Sequence, residues 1–261
     1  MSNKIQRLLR SGQPAFGAQL RLGCPAIAEL FSLAGFDWLS IDSEHAPQTP
    51  VGIQLQLQAM AAGGATPIVR VPKNDPDLIR LYLDMGAQGV LVPFIETPAD
   101  AEAAVRACRY PPRGIRGFGP ARAYQYGLDS SYFARADDQI LFIPIIESAK
   151  AIENIEAIFA VDGVETCMIG PADLSLSLGV PLLTQHAKVQ QAMQKVVSAA
   201  RSAGKWAGTA LWGDASDPAN IRKHIDQGFG LLLLGGDEWL LAAACQRISA
   251  AMKQARANRS T

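Results

Sequence analysis

A closed parallel barrel of eight βα units, a (β/α)8 (TIM) barrel, is the fold this sequence predicts. Three observations carry that reading. Short apolar runs of strand length alternate with longer amphipathic stretches along the whole chain. The short runs are apolar throughout, as expected of strands covered on both faces. The chain has 261 residues, close to the roughly 250 of such a barrel. Eight units in that length suit a closed barrel better than an open doubly wound sheet. No Pro/Ser-rich linker or shift in composition divides the chain, so one domain over 1–261 is expected.

The strands are expected at 16–20, 38–42, 67–71, 89–94, 140–147, 166–170, 206–211 and 231–235. Helical patterns lie between them at 25–34, 51–62, 76–85, 98–108, 151–160, 189–203 and 218–227, and a last helix at 239–256 closes the chain. The longest irregular stretch, 110–139, separates the fourth helix from the fifth strand. Loops of that length inside a domain usually have a function, and this one is expected to cover a barrel mouth or a subunit contact.

Composition narrows the function. Lys+Arg and Asp+Glu both number 24, a formal net charge of +0, which excludes the electrostatic footprint of a nucleic-acid or anionic-membrane partner. Near-zero charge also lets like subunits associate. The first 13 residues carry no apolar signal-peptide core, and no run approaches the ~18 apolar residues of a membrane span. The expectation is a soluble cytoplasmic protein. Cys24, Cys108, Cys167 and Cys245 form no C-x-x-C pair and read as reduced thiols.

Catalytic groups of such barrels sit at the C-terminal ends of the strands. The second strand ends in Asp42-Ser43-Glu44-His45, the third in Arg70 and the fifth in Glu147, and the sixth runs into Gly170-Pro171-Ala172-Asp173. Glu147 and Asp173 suit a hard or borderline divalent ion such as Mg²⁺, Mn²⁺ or Co²⁺ better than zinc. Alternatively they are helix-start carboxylates favoured by the helix dipole. His45 is one of three histidines, and His186 and His224 fall in helical surface patterns. Asp42, three residues before His45, is placed to orient its imidazole as a general base. Asp84 is a second candidate for that role, or a solvated helix residue. Arg70 is either a barrel salt bridge or a fixed cation for a developing oxyanion. A divalent ion with two carboxylates is neutral, so an enolate with two negative charges would need a further cation and a base, which Arg70 and His45 supply.

These residues stand in motifs that resemble a known family. Phe36-Asp37-Trp38-Leu39-Ser40-Ile41-Asp42-Ser43-Glu44-His45-Ala46-Pro47 resembles the signature of the HpcH/HpaI aldolases. Segments 67–72, 83–87, 113–122 and 168–175 match as well, so the similarity runs from about residue 16 to about residue 241. The resemblance implies class II aldolase chemistry: reversible cleavage of 4-hydroxy-2-oxo acids to pyruvate and an aldehyde. It implies a divalent metal on Glu147 and Asp173, chelated by pyruvate, with the pyruvate carboxylate meeting the backbone N–H groups of Ala172 and Asp173. His45 would be the acid/base, supported by Asp42 or Asp84. Arg70 would stabilise the enolate, and Arg122 would meet an aldehyde carrying a carboxylate. It further implies a homo-oligomer, a hexamer built as a trimer of dimers, with the last helix exchanged between neighbours. One position departs. Many members carry Gln two residues before the metal glutamate, and here Ile145 stands there; its side chain donates no hydrogen bond.

Other readings are weaker. A Schiff-base aldolase needs a lysine projecting into the barrel, and Lys73 and Lys150 fall beyond the strand ends. A phosphate site at Gly235-Gly236 is opposed by Asp237, which reads better as a helix cap. A carbon–carbon lyase acting on an acyl-CoA, or an oxaloacetate decarboxylase, would use the same enolate. A non-catalytic binding barrel would have no need of the Glu147, Asp173, His45 and Arg70 set.

Overall fold

Eight parallel strands pair in chain order, and the eighth closes on the first. The computed structural model describes residues 3–211 and 214–257. The strands are β1 (Ala15–Leu20), β2 (Trp38–Asp42), β3 (Thr66–Arg70), β4 (Gly89–Val92), β5 (Leu141–Ile146), β6 (Thr166–Ile169), β7 (Trp206–Ala210) and β8 (Phe229–Gly236). The helices are α1 (Lys4–Arg10), α2 (Pro25–Leu33), α3 (Pro50–Ala59), α4 (Pro76–Asp84), α5 (Pro98–Cys108), α6 (Tyr132–Gln139), α7 (Ala149–Glu153), α8 (Ile155–Ala160), α9 (Pro171–Ser177), α10 (Ala187–Ser202), α11 (Pro218–Asp226) and α12 (Asp237–Ala257). The fold is the (β/α)8 barrel that the sequence predicts. Among the described residues no helix is long and apolar enough to cross a membrane.

Local chemistry sets the helix starts. Proline opens α2, α3, α4, α5, α9 and α11. Its fixed φ suits the first helical position, where no N–H is needed. Thr49, Asp75, Thr97, Ser148 and Asp217 then cap free N–H groups with their side chains.

Strand parity divides the core in two. Outward residues such as Leu39, Ile41, Val69, Val90, Phe142, Ile146 and Ile169 pack under the helices in one large cluster. Inward residues Trp38, Ile68, Leu91, Leu141, Ile143, Ile145, Met168 and Leu231 fill the barrel in another. Trp38 fits because Gly17 faces it: a Cβ at Gly17 would lie 2.2 Å from the indole.

Three elements differ from the periodicity reading. Helix α1 closes the N-terminal end of the barrel with Ile5 and Leu9, and the Leu9 carbonyl accepts from Trp206 Nε1 at 2.8 Å. The expected helix over 151–160 is broken at Asn154, which ends α7 and starts α8. The 110–139 stretch contains α6 and turns back across the N-terminal ends of the strands, so it does not cover the catalytic mouth of its own chain. Topology requires this, because α5 runs from the C-terminal rim to the opposite end and the stretch begins where α5 stops. The four cysteines are free thiols, and burial lifts Cys108 and Cys167 to about 12.

Candidate active site

The inward parity continues to the C-terminal rim and brings polar groups together there. Trp38 and Ser40 precede Asp42 on β2, Ile68 precedes Arg70 on β3, and Ile145 precedes Glu147 at the end of β5. Side chains alternate along a strand, so all three polar residues top inward-facing columns. Asp42 and Arg70 are also register partners on adjacent strands. The guanidinium of Arg70 therefore meets the Asp42 carboxylate in a fork, Nε to Oδ1 at 2.9 Å and Nη2 to Oδ2 at 2.5 Å. Asp42 is fully buried. Burial acts to raise its pKa, but Arg70 and the N–H groups of His45 and Glu44 outweigh that and hold it below the usual carboxylate range.

A cavity of about 160 Å³ opens beside this pair, lined by Arg70, Glu147, Ala172, Asp173, Ile145 and Trp239 among others. Glu147 is 6% exposed, and its Oε1 accepts the Phe94 N–H at 2.9 Å. Phe94 adopts φ 50°, the left-handed conformation, while making that bond. Gly170 leaves room for the carboxylate, since a Cβ there would sit 2.8 Å from Glu147 Oε2. Burial raises the Glu147 carboxyl to about 7; the Phe94 N–H opposes this, and the charges of Asp173 and Glu44 add to it. Glu44 is raised as well, chiefly by burial, against the attraction of Arg70.

Not every expected residue reaches this cavity. His45 is on the rim, with its side chain 53% exposed and its Nε2 3.4 Å from Glu44 Oε2. The carboxylate facing the imidazole is thus Glu44, whereas Asp42 Oδ1 accepts the His45 backbone N–H at 3.1 Å. A three-residue spacing at a strand end turns the backbone, not the imidazole, toward the aspartate. Asp84 ends α4 and lies roughly 13 Å of helix from the rim, at 1.5 Å per residue. It pairs there with buried Arg116 at 2.6 Å. Arg122 donates to the carbonyls of Met85 and Leu57 at 3.0 and 3.1 Å, also at the N-terminal end. Neither Asp84 nor Arg122 enters the cavity of its own chain. His186 caps α10 through Nδ1, and the ring of His224 meets the Asn220 carbonyl.

Four participants carried no expected role: Glu44, Gln19, Arg21 and Phe94. Gln19 Nε2 donates to Asp42 Oδ2 at 3.1 Å. Its signal was available, as a polar residue inside the apolar strand β1. Phe94 acts through its backbone and leaves no signal in side-chain identity. A larger cavity of about 740 Å³ lies at the opposite end of the barrel. Its Arg10, Arg109 and Arg113 pair with Glu165, Asp162 and Asp138, and it does not adjoin the rim groups.

The profile of the HpcH/HpaI aldolase/citrate lyase family matches residues 19–257. The chain belongs to that family. Among relatives of this HpcH/HpaI chain is the hydroxypyruvate/pyruvate aldolase of Deinococcus radiodurans, 41% identical, with 97% of this chain and 91% of the relative covered. Another is the 4-hydroxy-2-oxovalerate aldolase of Rhodococcus jostii, also 41% identical over 97% and 96% of the two chains. The crystal structure of an HpcH/HpaI aldolase/citrate lyase family protein from Burkholderia cenocepacia superposes with a TM-score of 0.88 at 38% identity, covering 95% of this chain and 98% of that one.

The rim of this HpcH/HpaI chain fits a divalent cation. Three carboxylates, Glu44, Glu147 and Asp173, influence one another, and Arg70, whose charge acts on Glu44 and Glu147, is already engaged by Asp42. Excess negative charge in a buried site is relieved by a bound cation. Among the described residues no ready-made group of three His, Cys, Asp or Glu ligands exists, so Glu147 and Asp173 would leave most positions to water and substrate oxygens.

Proposed function

We propose that this chain is a class II aldolase that reversibly cleaves 4-hydroxy-2-oxo acids to pyruvate and an aldehyde. The observation that carries the reading is the convergence of Glu147, Asp173 and Arg70 on one small rim cavity; His45 lies outside its lining, beside Glu44. Family membership and the aldolase relatives support it. Glu147 and Asp173 would hold Mg²⁺, Mn²⁺ or Co²⁺, which supplies Lewis-acid polarisation of the 2-oxo group when bound.

The remaining chemistry belongs to the chain itself. The backbone N–H groups of Ala172 and Asp173, in the first turn of α9, would receive the substrate carboxylate. The His45 imidazole takes the proton of the C4 hydroxyl. The C3–C4 bond then breaks, the aldehyde leaves, and the electron pair passes into the pyruvate enolate. Arg70 faces the growing negative charge with a guanidinium that Asp42 has already oriented. The proton held at His45 returns to C3 and completes pyruvate. Glu44 Oε2 stands 3.4 Å from His45 Nε2 and faces the imidazole.

Assembly belongs to the same reading. Helix α12 leaves Trp239, Leu240, Leu241, Ile248 and Met252 exposed, an apolar face that suits a neighbouring copy. Exchange of α12 within a hexamer would cover it. Asp84 and Arg122, which lie outside their own cavity, would then act at a neighbour's rim.

The test is pyruvate release from 4-hydroxy-2-oxoheptanedioate and 4-hydroxy-2-oxovalerate, before and after EDTA and with each metal restored. Release that EDTA abolishes and metal restores supports the reading. Release insensitive to EDTA removes the metal from it. Failure with every metal and both substrates overturns aldol cleavage and turns attention to oxaloacetate or an acyl-CoA.

A further inference from the structure

The turn that carries His45 has no regular structure of its own. Residues 43–46 lie beyond β2 and before α3, outside any helix or strand. A general base on such a segment keeps its position only if its backbone is held. Two side chains hold it, one at each side of the residue. Asp42 Oδ1 accepts the His45 N–H at 3.1 Å, and Arg21 Nη2 donates to the His45 carbonyl at 3.0 Å.

Arg21 is itself fixed from two directions. It follows β1, and its Nε lies 3.3 Å from Asp42 Oδ2, a charge contact without hydrogen-bond alignment. Its Nη1 donates to Glu238 Oε1. Its backbone N–H and that of Leu22 donate to the two oxygens of Asp237, at 2.9 and 3.0 Å. Asp237 is 3% exposed, and both acidic residues belong to the first turn of α12. One guanidinium therefore connects the start of α12, the Asp42 carboxylate that grips Arg70, and the peptide that carries His45. Trp239, the next residue of α12, lines the same cavity.

We propose that Arg21 is a positioning residue for the aldol reaction: it locks the His45 turn to the first turn of α12, so that the seating of α12 sets the place of the base. The proposal rests on the reading of His45 as acid/base. It requires the planar, multidentate head of arginine, because an ammonium cannot reach Glu238, Asp42 and the His45 carbonyl together. Misplacing a reacting group by about 1 Å costs about 10²-fold in rate.

Two reactions of the same cavity separate positioning from general damage. Aldol cleavage needs removal of the C4 hydroxyl proton. Decarboxylation of oxaloacetate does not: the C–CO₂ bond breaks, its electron pair forms the pyruvate enolate, and CO₂ leaves. Arg21→Met should therefore lower kcat for aldol cleavage by roughly 10²-fold while leaving its KM and metal-dependent oxaloacetate decarboxylation within about twofold. Arg21→Lys should recover only part of the loss. Glu238→Gln, which leaves Arg21 in place but frees its far end, should shift the same ratio in the same direction by less. Backbone hydrogen exchange over 43–46, measured on the full-length metal-loaded protein, should rise in Arg21→Met. Equal loss of both reactions, full activity in Arg21→Met, or full rescue by lysine would overturn the proposal. If the wild-type chain cleaves no aldol substrate, the functional reading fails and the catalytic part of the proposal falls with it; exchange over 43–46 then decides the tether alone, which unchanged exchange in Arg21→Met overturns and faster exchange supports.

Discussion

Arg70 and Asp42 are register partners on adjacent parallel strands, and their side chains close a two-point fork across the barrel wall. The fork keeps the guanidinium fixed before any substrate arrives, so little reorganisation remains for the reaction. Arg70→Lys replaces the fork with a point charge. The expected result is a fall in kcat/KM of about 10²–10³-fold with metal binding retained. Steady-state kinetics beside a metal titration would check this, and an unchanged kcat/KM would remove Arg70 from transition-state stabilisation.

Glu147 links pH to metal affinity. Its carboxyl titrates near 7 in the metal-free fold, above its ordinary 4.5. Between those values the folded state binds more protons than the unfolded one, so the stability of the metal-free protein should fall as pH rises through that window. Metal competes with the same proton, so apparent affinity should drop up to tenfold per pH unit below about 7. Calorimetric titration of Mn²⁺ at pH 5.5, 6.5 and 7.5 reads both affinity and proton release. Affinity that stays flat across these values would contradict the assignment of Glu147 as a ligand.

Gly170 supplies the space that Glu147 occupies. A Cβ there would lie 2.8 Å from Oε2 and 3.0 Å from Cβ of Glu147, and neither contact can be relieved without moving the carboxylate. Gly170→Ala should weaken metal binding by roughly 10–100-fold, as loss of a supporting partner does at other metal sites. Equal affinity in the variant would show that the ligand position tolerates the shift.

Ile145 is 4% exposed and lines the cavity one alternation below Glu147. Ile145→Gln places a donor where the wild-type chain has none. One added hydrogen bond of about 0.5–1.5 kcal/mol should lower the KM for pyruvate in the condensation direction by roughly two- to tenfold. An unchanged KM would place the bound oxo acid away from this side chain.

Asp84 is the carboxylate partner of fully buried Arg116, whose guanidinium also lies 4.7 Å from the centroid of the Tyr110 ring. Asp84→Ala leaves that charge uncompensated, which should cost about 3 kcal/mol. Urea unfolding of the metal-free protein would measure it. A cost below about 1 kcal/mol would mean that the aromatic cage of Tyr110 and Tyr132 is enough for the cation.

The order of strands and helices was legible because closure of the barrel depends on local patterns repeated along the chain: apolar runs of strand length and amphipathic runs between them. The same parity made Asp42, Arg70, Glu147 and Asp173 legible as rim residues, since each ends an apolar column or follows one. Helix α1 was not legible. Its 7 residues are too few for a clear period, and Ile5 and Leu9 gain their burial only from a barrel end that must already exist. The partner of the His45 imidazole was hidden for a similar reason. Spacing suggested Asp42, but the turn after β2 gives Asp42 to the backbone and to Arg70, and Glu44 to the ring.

By itself, the sequence determined the barrel, its chemical class of rim residues and the apolar character of position 145, because composition and period act over neighbouring residues. Only the tertiary structure decided that Asp84 and Arg122 lie at the far end of their own chain, that Glu147 is raised by burial, and that Arg21 ties α12 to His45. These depend on register and on contacts between segments as far apart as residues 21 and 237, where the energy of a pair is set by distance and solvent exclusion, and neither is written in local order.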